Sequence, residues 1–287
     1  MPVDDLTLKE KIDKYLIYIE FEKKYSPLTI RNYSHYLNRF SNFSKNINIE
    51  SINKFKDNLI SQKLTKKTVG YHLIALRSIL KWLNQNGQSE MSSDQIEIPK
   101  AEANKLIFLT GSEVEKLFRS PNINTKIGVR DRAILELFYA TGLRISELTT
   151  LDISSLNEGK NEIRINKKTI FLSTRAIDWI KKYLLTRTDK NIALFVSDKG
   201  KVTRLTPRSI ERMLKKYTKI VGLPNNITPK TLRHSFATDL LMAGAEVQSV
   251  QKMLGHKNIS TTQIYTHVTN KQLHDIHEQF HGREYEK

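Results

Sequence analysis

Residues 254–267 read LGHKNISTTQIYTH and hold three rings that can move protons or accept a covalent bond: His256, Tyr265 and His267. A phenol becomes a nucleophile only where nearby cations favour loss of its proton, so Tyr265 has chemical meaning only if the chain supplies partners. Arg144 follows YATG and precedes ISEL, which places a guanidinium between the end of one helix and the N–H groups opening the next, a setting that suits an anion. Lys230 and Arg233 stand three apart after Pro229, on one face of a first helical turn. Two cations there oppose the helix dipole, and a bound phosphate would remove the conflict. Lys167 and Lys168 lie at the tip of NEIRINKKTIFLS, which alternates as two short strands around a polar turn. Taken singly, each has an ordinary explanation: a surface arginine, a solvated basic turn, an exposed lysine, an incidental histidine, a packed tyrosine.

The elements that must position these residues are mostly helical. LKEKIDKYLIYIEFEKKY spaces Leu8, Ile12, Tyr15, Leu16 and Ile19 at helical intervals. Ser26 with Pro27 opens a second helix, SINKFKDNLISQK forms a third, and a fourth runs from Thr65 or Lys66 to Gly87. Residues 1–86 therefore read as a four-helix domain, and the polar, serine-containing segment 87–105 reads as a linker between two domains. Residues 106–287 read as a second, mainly helical domain with one small β-hairpin, including the helices VRDRAILELFYATG, RAIDWIKKYLL, PRSIERMLKKYTKIVG, PKTLRHSFATDLLMAG and EVQSVQKMLG.

Composition narrows the partners. Among 287 residues, 47 Lys and Arg against 30 Asp and Glu give a formal charge of +17, which draws polyanions, nucleic acid first. A lysine-rich coding bias would give the same excess, so charge alone does not settle it. With no cysteine, disulfides and thiolate zinc sites are excluded. Apolar runs are short and broken by Lys or Arg, and MPVDDLTLKEK lacks an apolar signal core, so neither a membrane span nor export is expected and the cytoplasm is the expected compartment.

The ordered set, Arg144, a hairpin lysine, KxxR, LGH and then Tyr265 nine residues after His256, resembles the tyrosine recombinases, or phage-type integrases. ATGLRISEL, TLRHSFATDLL and VQKMLGHKNISTTQIYTHV resemble the Xer subgroup, which resolves chromosome dimers. The resemblance spans nearly the whole chain. It implies a helical core-binding domain of SAM-like fold joined to a catalytic domain. The catalytic residues it implies are Arg144, Lys167 (Lys168 in reserve), Lys230, Arg233, His256 and the nucleophile Tyr265, with His267 unassigned. Two departures stand out: Lys230 occupies a position where most Xer members carry His, and the hairpin is shorter than the usual GKGNKER turn. DNA contact is expected at Arg31, Arg39, Lys66, Lys67, Arg208 and Arg212, mostly to phosphates. No metal or other cofactor is expected, since no acidic ligand cluster or P-loop is evident. The resemblance further implies a homo- or hetero-tetramer on a duplex DNA site, joined through a C-terminal helix whose Leu273, Ile276 and Phe280 form a stripe, and a DNA translocase of the cell-division machinery as a further partner. The alternatives are a mobile-element integrase with the same chemistry, a type IB topoisomerase, and a DNA-binding protein without catalysis.

Overall fold

A computed structural model describes residues 6–89, 91–100, 107–165, 168–198 and 200–254. The chain divides into two compact units, Met1–Asn104 and Lys105–Lys287.

The first unit is a bundle of α1 (Leu8–Phe21), α2 (Pro27–Phe43), α3 (Ile49–Ser61) and α4 (Lys66–Gln85). Each start is chemically marked. Thr7 and Glu10 form a capping box, and Ser26, Asn48 and Thr65 each accept a hydrogen bond from the backbone three residues on. The helical stripes meet in one core: Ile12, Tyr15 and Ile19 from α1, Leu37 and Phe40 from α2, Phe55 and Leu59 from α3, with Leu73, Leu76, Ile79 and Leu83 from α4. The segment expected as a linker begins differently. Ile96 is buried in this core, Arg77 pairs with Asp94 at 2.6 Å, and the Asn84 amide donates to the Met91 carbonyl at 2.9 Å. A polar, aperiodic stretch gave no sign of this, because Ile96 is the one buried side chain among its described residues.

The second unit contains α5 (Gly111–Arg119), α6 (Lys126–Thr141) and α7 (Ile145–Thr150), followed by a small antiparallel sheet. The sheet holds β1 (Leu156–Asn157), β2 (Glu162–Ile165) and β3 (Lys168–Phe171) in the order β1-β2-β3. The expected hairpin is thus flanked by a third strand too short for an alternating pattern to reveal. Then follow α8 (Thr174–Leu185), α9 (Pro207–Ile220), α10 (Pro229–Met242) and α11 (Val247–Leu254). The central helix is α6, buried on nearly every side because α5, α8 and α10 all pack on it. The Arg204 guanidinium donates to the carbonyls of Thr149 and Leu151 at 3.1 and 2.8 Å, and also pairs with Asp152, which pins the end of α7. Among the described residues, no helix is long and apolar enough to cross a membrane.

Candidate active site

Gly142 ends α6 in the left-handed conformation, φ 56°, a region that L side chains avoid. A Cβ there would lie 2.5 Å from Phe236 on α10 and 2.9 Å from Leu254 on α11. Glycine is therefore required twice, by its dihedral and by the approach of two helices. Two residues later, Arg144 occupies the N-cap of α7. Its backbone N–H donates to Glu147 at 2.7 Å, and its half-exposed guanidinium reaches the same carboxylate at 3.3 Å.

Arg233 is buried on α10 and donates to two backbone carbonyls at 2.6 Å each, those of Gly142 and Leu254. Both lie at helix C-termini, where the dipole favours a cation. This guanidinium joins the ends of α6 and α11 to α10. The spacing of Lys230 and Arg233 suggests a shared face, and the two differ in burial. Arg233 is buried against those carbonyls, while Lys230 is exposed in the first turn of α10.

Arg233 borders a cleft of about 130 Å³ that is also lined by Gly142, Glu147, Lys168, Met253 and Leu254. Lys168 arrives there on β3. In the register, Ile165 pairs with Lys168, so only Asn166 and Lys167 separate the strands, as the shortened hairpin implied. Ile165, Lys168 and Ile170 line the cleft, and the two-residue alternation puts all three on one face of the sheet. Lys167, His256, Tyr265 and His267 lie outside the described residues, as do Leu273, Ile276 and Phe280.

The six DNA-contact candidates fall on three helices. Arg31 is exposed on α2, and Arg39, half-buried, donates to Gln62. Lys66 and Lys67 are exposed in the first turn of α4, with the Lys67 ammonium 6.0 Å from the centre of the Tyr71 ring. The Tyr36 and Tyr71 rings stack at 6.5 Å, holding α2 to α4. Arg208 and Arg212 are exposed on α9.

Several residues went unremarked in the sequence. Glu147 stands at the third position of α7, where a capping-box carboxylate belongs, so its bond to Arg144 was legible. The Tyr139 hydroxyl donates to Asp239 between α6 and α10, and burial pushes the Asp239 carboxyl up to about 6. Glu136, buried on α6, accepts from Arg132 and Arg175 together. Pairs such as these, 39 and 100 residues apart, leave no local pattern. Among the described residues, no cluster of His, Asp and Glu could hold a metal ion.

The model of the Phage integrase family matches residues 107–272, and that of the Phage integrase, N-terminal SAM-like domain matches residues 12–87. The chain belongs to the phage integrase family. Tyrosine recombinase XerC of Haemophilus influenzae is 34% identical, covering 95% of this chain and 97% of that protein. Tyrosine recombinase XerD of Oceanobacillus iheyensis is likewise 34% identical, over 96% and 99%. In fold, this integrase-family chain is similar to the XerH site-specific recombinase bound to a palindromic difH substrate, with a TM-score of 0.68 at 23% identity, covering 94% of this chain and 84% of that one. Membership and full-length likeness to tyrosine recombinases set the reaction class, cleavage and rejoining of DNA strands.

Proposed function

We propose that this chain is a Xer-type site-specific recombinase, cutting and rejoining DNA through a 3′-phosphotyrosyl intermediate and resolving chromosome dimers at segregation. The observation that carries the chemistry is the cleft where Arg233, Lys168 and the turn leading to Arg144 converge. A DNA phosphodiester develops charge on its non-bridging oxygens as phosphorus is attacked. Arg144 and Arg233 hold those oxygens by charged hydrogen bonds, with His256 and Lys230 as further donors. The Tyr265 oxygen forms a bond to phosphorus as the bond from phosphorus to the 5′-oxygen breaks. The phenol, with an ordinary pKa of roughly 10, gives up its proton during attack, assisted by these cations. The 5′-oxygen takes a proton from a hairpin lysine acting as general acid. Lys168 lines the cleft, and Lys167 precedes it in the sequence. A 5′-hydroxyl from a partner strand reverses the step, so strand exchange consumes no nucleotide.

DNA is gripped by Arg31, Arg39, Lys66, Lys67, Arg208 and Arg212. The assembly is a tetramer joined through the C-terminal segment bearing Leu273, Ile276 and Phe280, working in the cytoplasm with a DNA translocase of the division machinery. A nicked suicide duplex tests the chemistry. Wild type should accumulate a covalent protein–DNA adduct that survives denaturing gels, and Tyr265→Phe should form none. Binding of cognate DNA by wild type without an adduct would leave a DNA-binding protein without catalysis. Recombination between two copies of a host chromosomal site supports the Xer role; recombination confined to the ends of a mobile element supports an integrase.

A further inference from the structure

We propose that Arg175 is a positioning residue for strand cleavage, fixing the hairpin lysine against the leaving 5′-oxygen. This rests on the general-acid role given to that lysine above. Arg175 is the second residue of α8, just beyond the root of the hairpin: β3 ends at Phe171, and Ser173 caps α8. Its Nε donates to Glu136 at 2.6 Å, and its two terminal nitrogens grip Glu115 on α5 at 2.5 and 3.0 Å. The same Glu136 oxygen accepts from Arg132 Nε at 2.8 Å, and the Arg132 guanidinium lies between the rings of Phe118 and Trp179, 5.1 and 4.9 Å from their centres. Arg175 itself lies 5.0 Å from the centre of the Phe118 ring. One guanidinium therefore locks α5, α6 and α8 together.

What it joins is specific. Helix α6 ends at Gly142, whose carbonyl holds Arg233, and Arg144 follows two residues later. The helix α8 begins where the lysine hairpin is rooted. Arg175 thus connects the element that sets both arginines to the element that sets the proton donor. Its placement does not serve α8 alone, because a cation in the first turn of a helix opposes the dipole. The hairpin is a lever. From Phe171 to Lys168 the strand spans about 10 Å, so a tilt of roughly 6° at the root moves the tip by about 1 Å. Proton transfer requires hydrogen-bond distance, and a misplacement of about 1 Å can cost on the order of 100-fold.

The test compares two suicide duplexes, one with the ordinary 5′-oxygen and one with sulfur in that bridging position. When the bond from phosphorus to sulfur breaks, sulfur departs as a thiolate and needs no general acid, since thiols ionise near pH 8.5. Arg175→Ala should slow adduct formation on the oxygen duplex by about 10- to 100-fold and stay within about threefold of wild type on the sulfur duplex. DNA affinity should remain close to that of wild type, while the melting temperature should fall, since Glu136 stays buried with one cation fewer. The double variant Lys167→Ala, Lys168→Ala should show the same rescue by sulfur, whereas Arg233→Lys should be slow on both duplexes. Equal slowing of Arg175→Ala on both substrates, or no slowing on either, overturns the positioning role. Failure of sulfur to rescue the double lysine variant overturns the general-acid reading itself, and this inference with it. Arg175→Lys and Glu115→Gln each weaken the lock without removing the cation, and should show a smaller defect with the same rescue if Arg175→Ala does not fold.

Discussion

Arg233 serves two demands with one side chain. It is buried with its guanidinium committed to the carbonyls of Gly142 and Leu254, and in the proposed mechanism it also faces a phosphate. Arg233→Ala should therefore fail twice. Leaving two buried carbonyls without their donor should lower unfolding free energy by about 2–4 kcal/mol in urea titrations, alongside loss of the covalent adduct. Glu147 behaves differently because its partner Arg144 is half-exposed. Glu147→Gln should change stability by less than about 1 kcal/mol, yet slow adduct formation by roughly tenfold as the Arg144 guanidinium loses the Glu147 charge. Arg144, Arg233 and the lysine pair were legible as candidates because the order and spacing of polar residues survive in one dimension. The burial of Arg233 was not, since it depends on carbonyls 91 and 21 residues away.

At the scale of elements, the junctions between helices matter more than their lengths. Helix starts were legible from Thr, Ser and Pro signals, and Gly142 was legible as an end. The second reason for Gly142, the approach of Phe236 and Leu254, is a tertiary fact. Gly142→Ala should accordingly cost more than the roughly 1 kcal/mol of a left-handed dihedral. About 2–3 kcal/mol in chemical denaturation is expected as α10 and α11 are pushed away. The contact between α6 and α10 also carries a pH signature. Asp239 titrates at about 6 when folded, above the value near 3.9 of an unfolded aspartate. The folded state then holds more protons between those limits, so this residue makes stability fall as pH rises from about 4 to 6. Asp239→Asn should remove that slope, which melting temperatures across this range will read.

For the molecule as a whole, a charge of +17 makes salt the main external control on binding. Replacing Lys66 and Lys67 together by Ala should weaken DNA binding about equally on cognate and random duplexes. It should also reduce the slope of log affinity against log salt by about 1 per lysine. An expectation of two domains was legible from helical periodicity and one polar stretch. The docking of Ile96 back onto the first unit was not, because one buried side chain leaves no periodic mark. The hairpin reaches furthest beyond the single molecule. With only two residues between Ile165 and Lys168, every side chain on β3 owes its face to the count of residues before it. A single codon inserted or deleted between Ile165 and Lys168 would turn Lys168 and Ile170 away from the face they share with Ile165, whereas a pair would restore it. Across descendants of this gene, hairpin length is expected to drift in steps of two, and an odd change should survive only where a second lesion nearby resets the alternation.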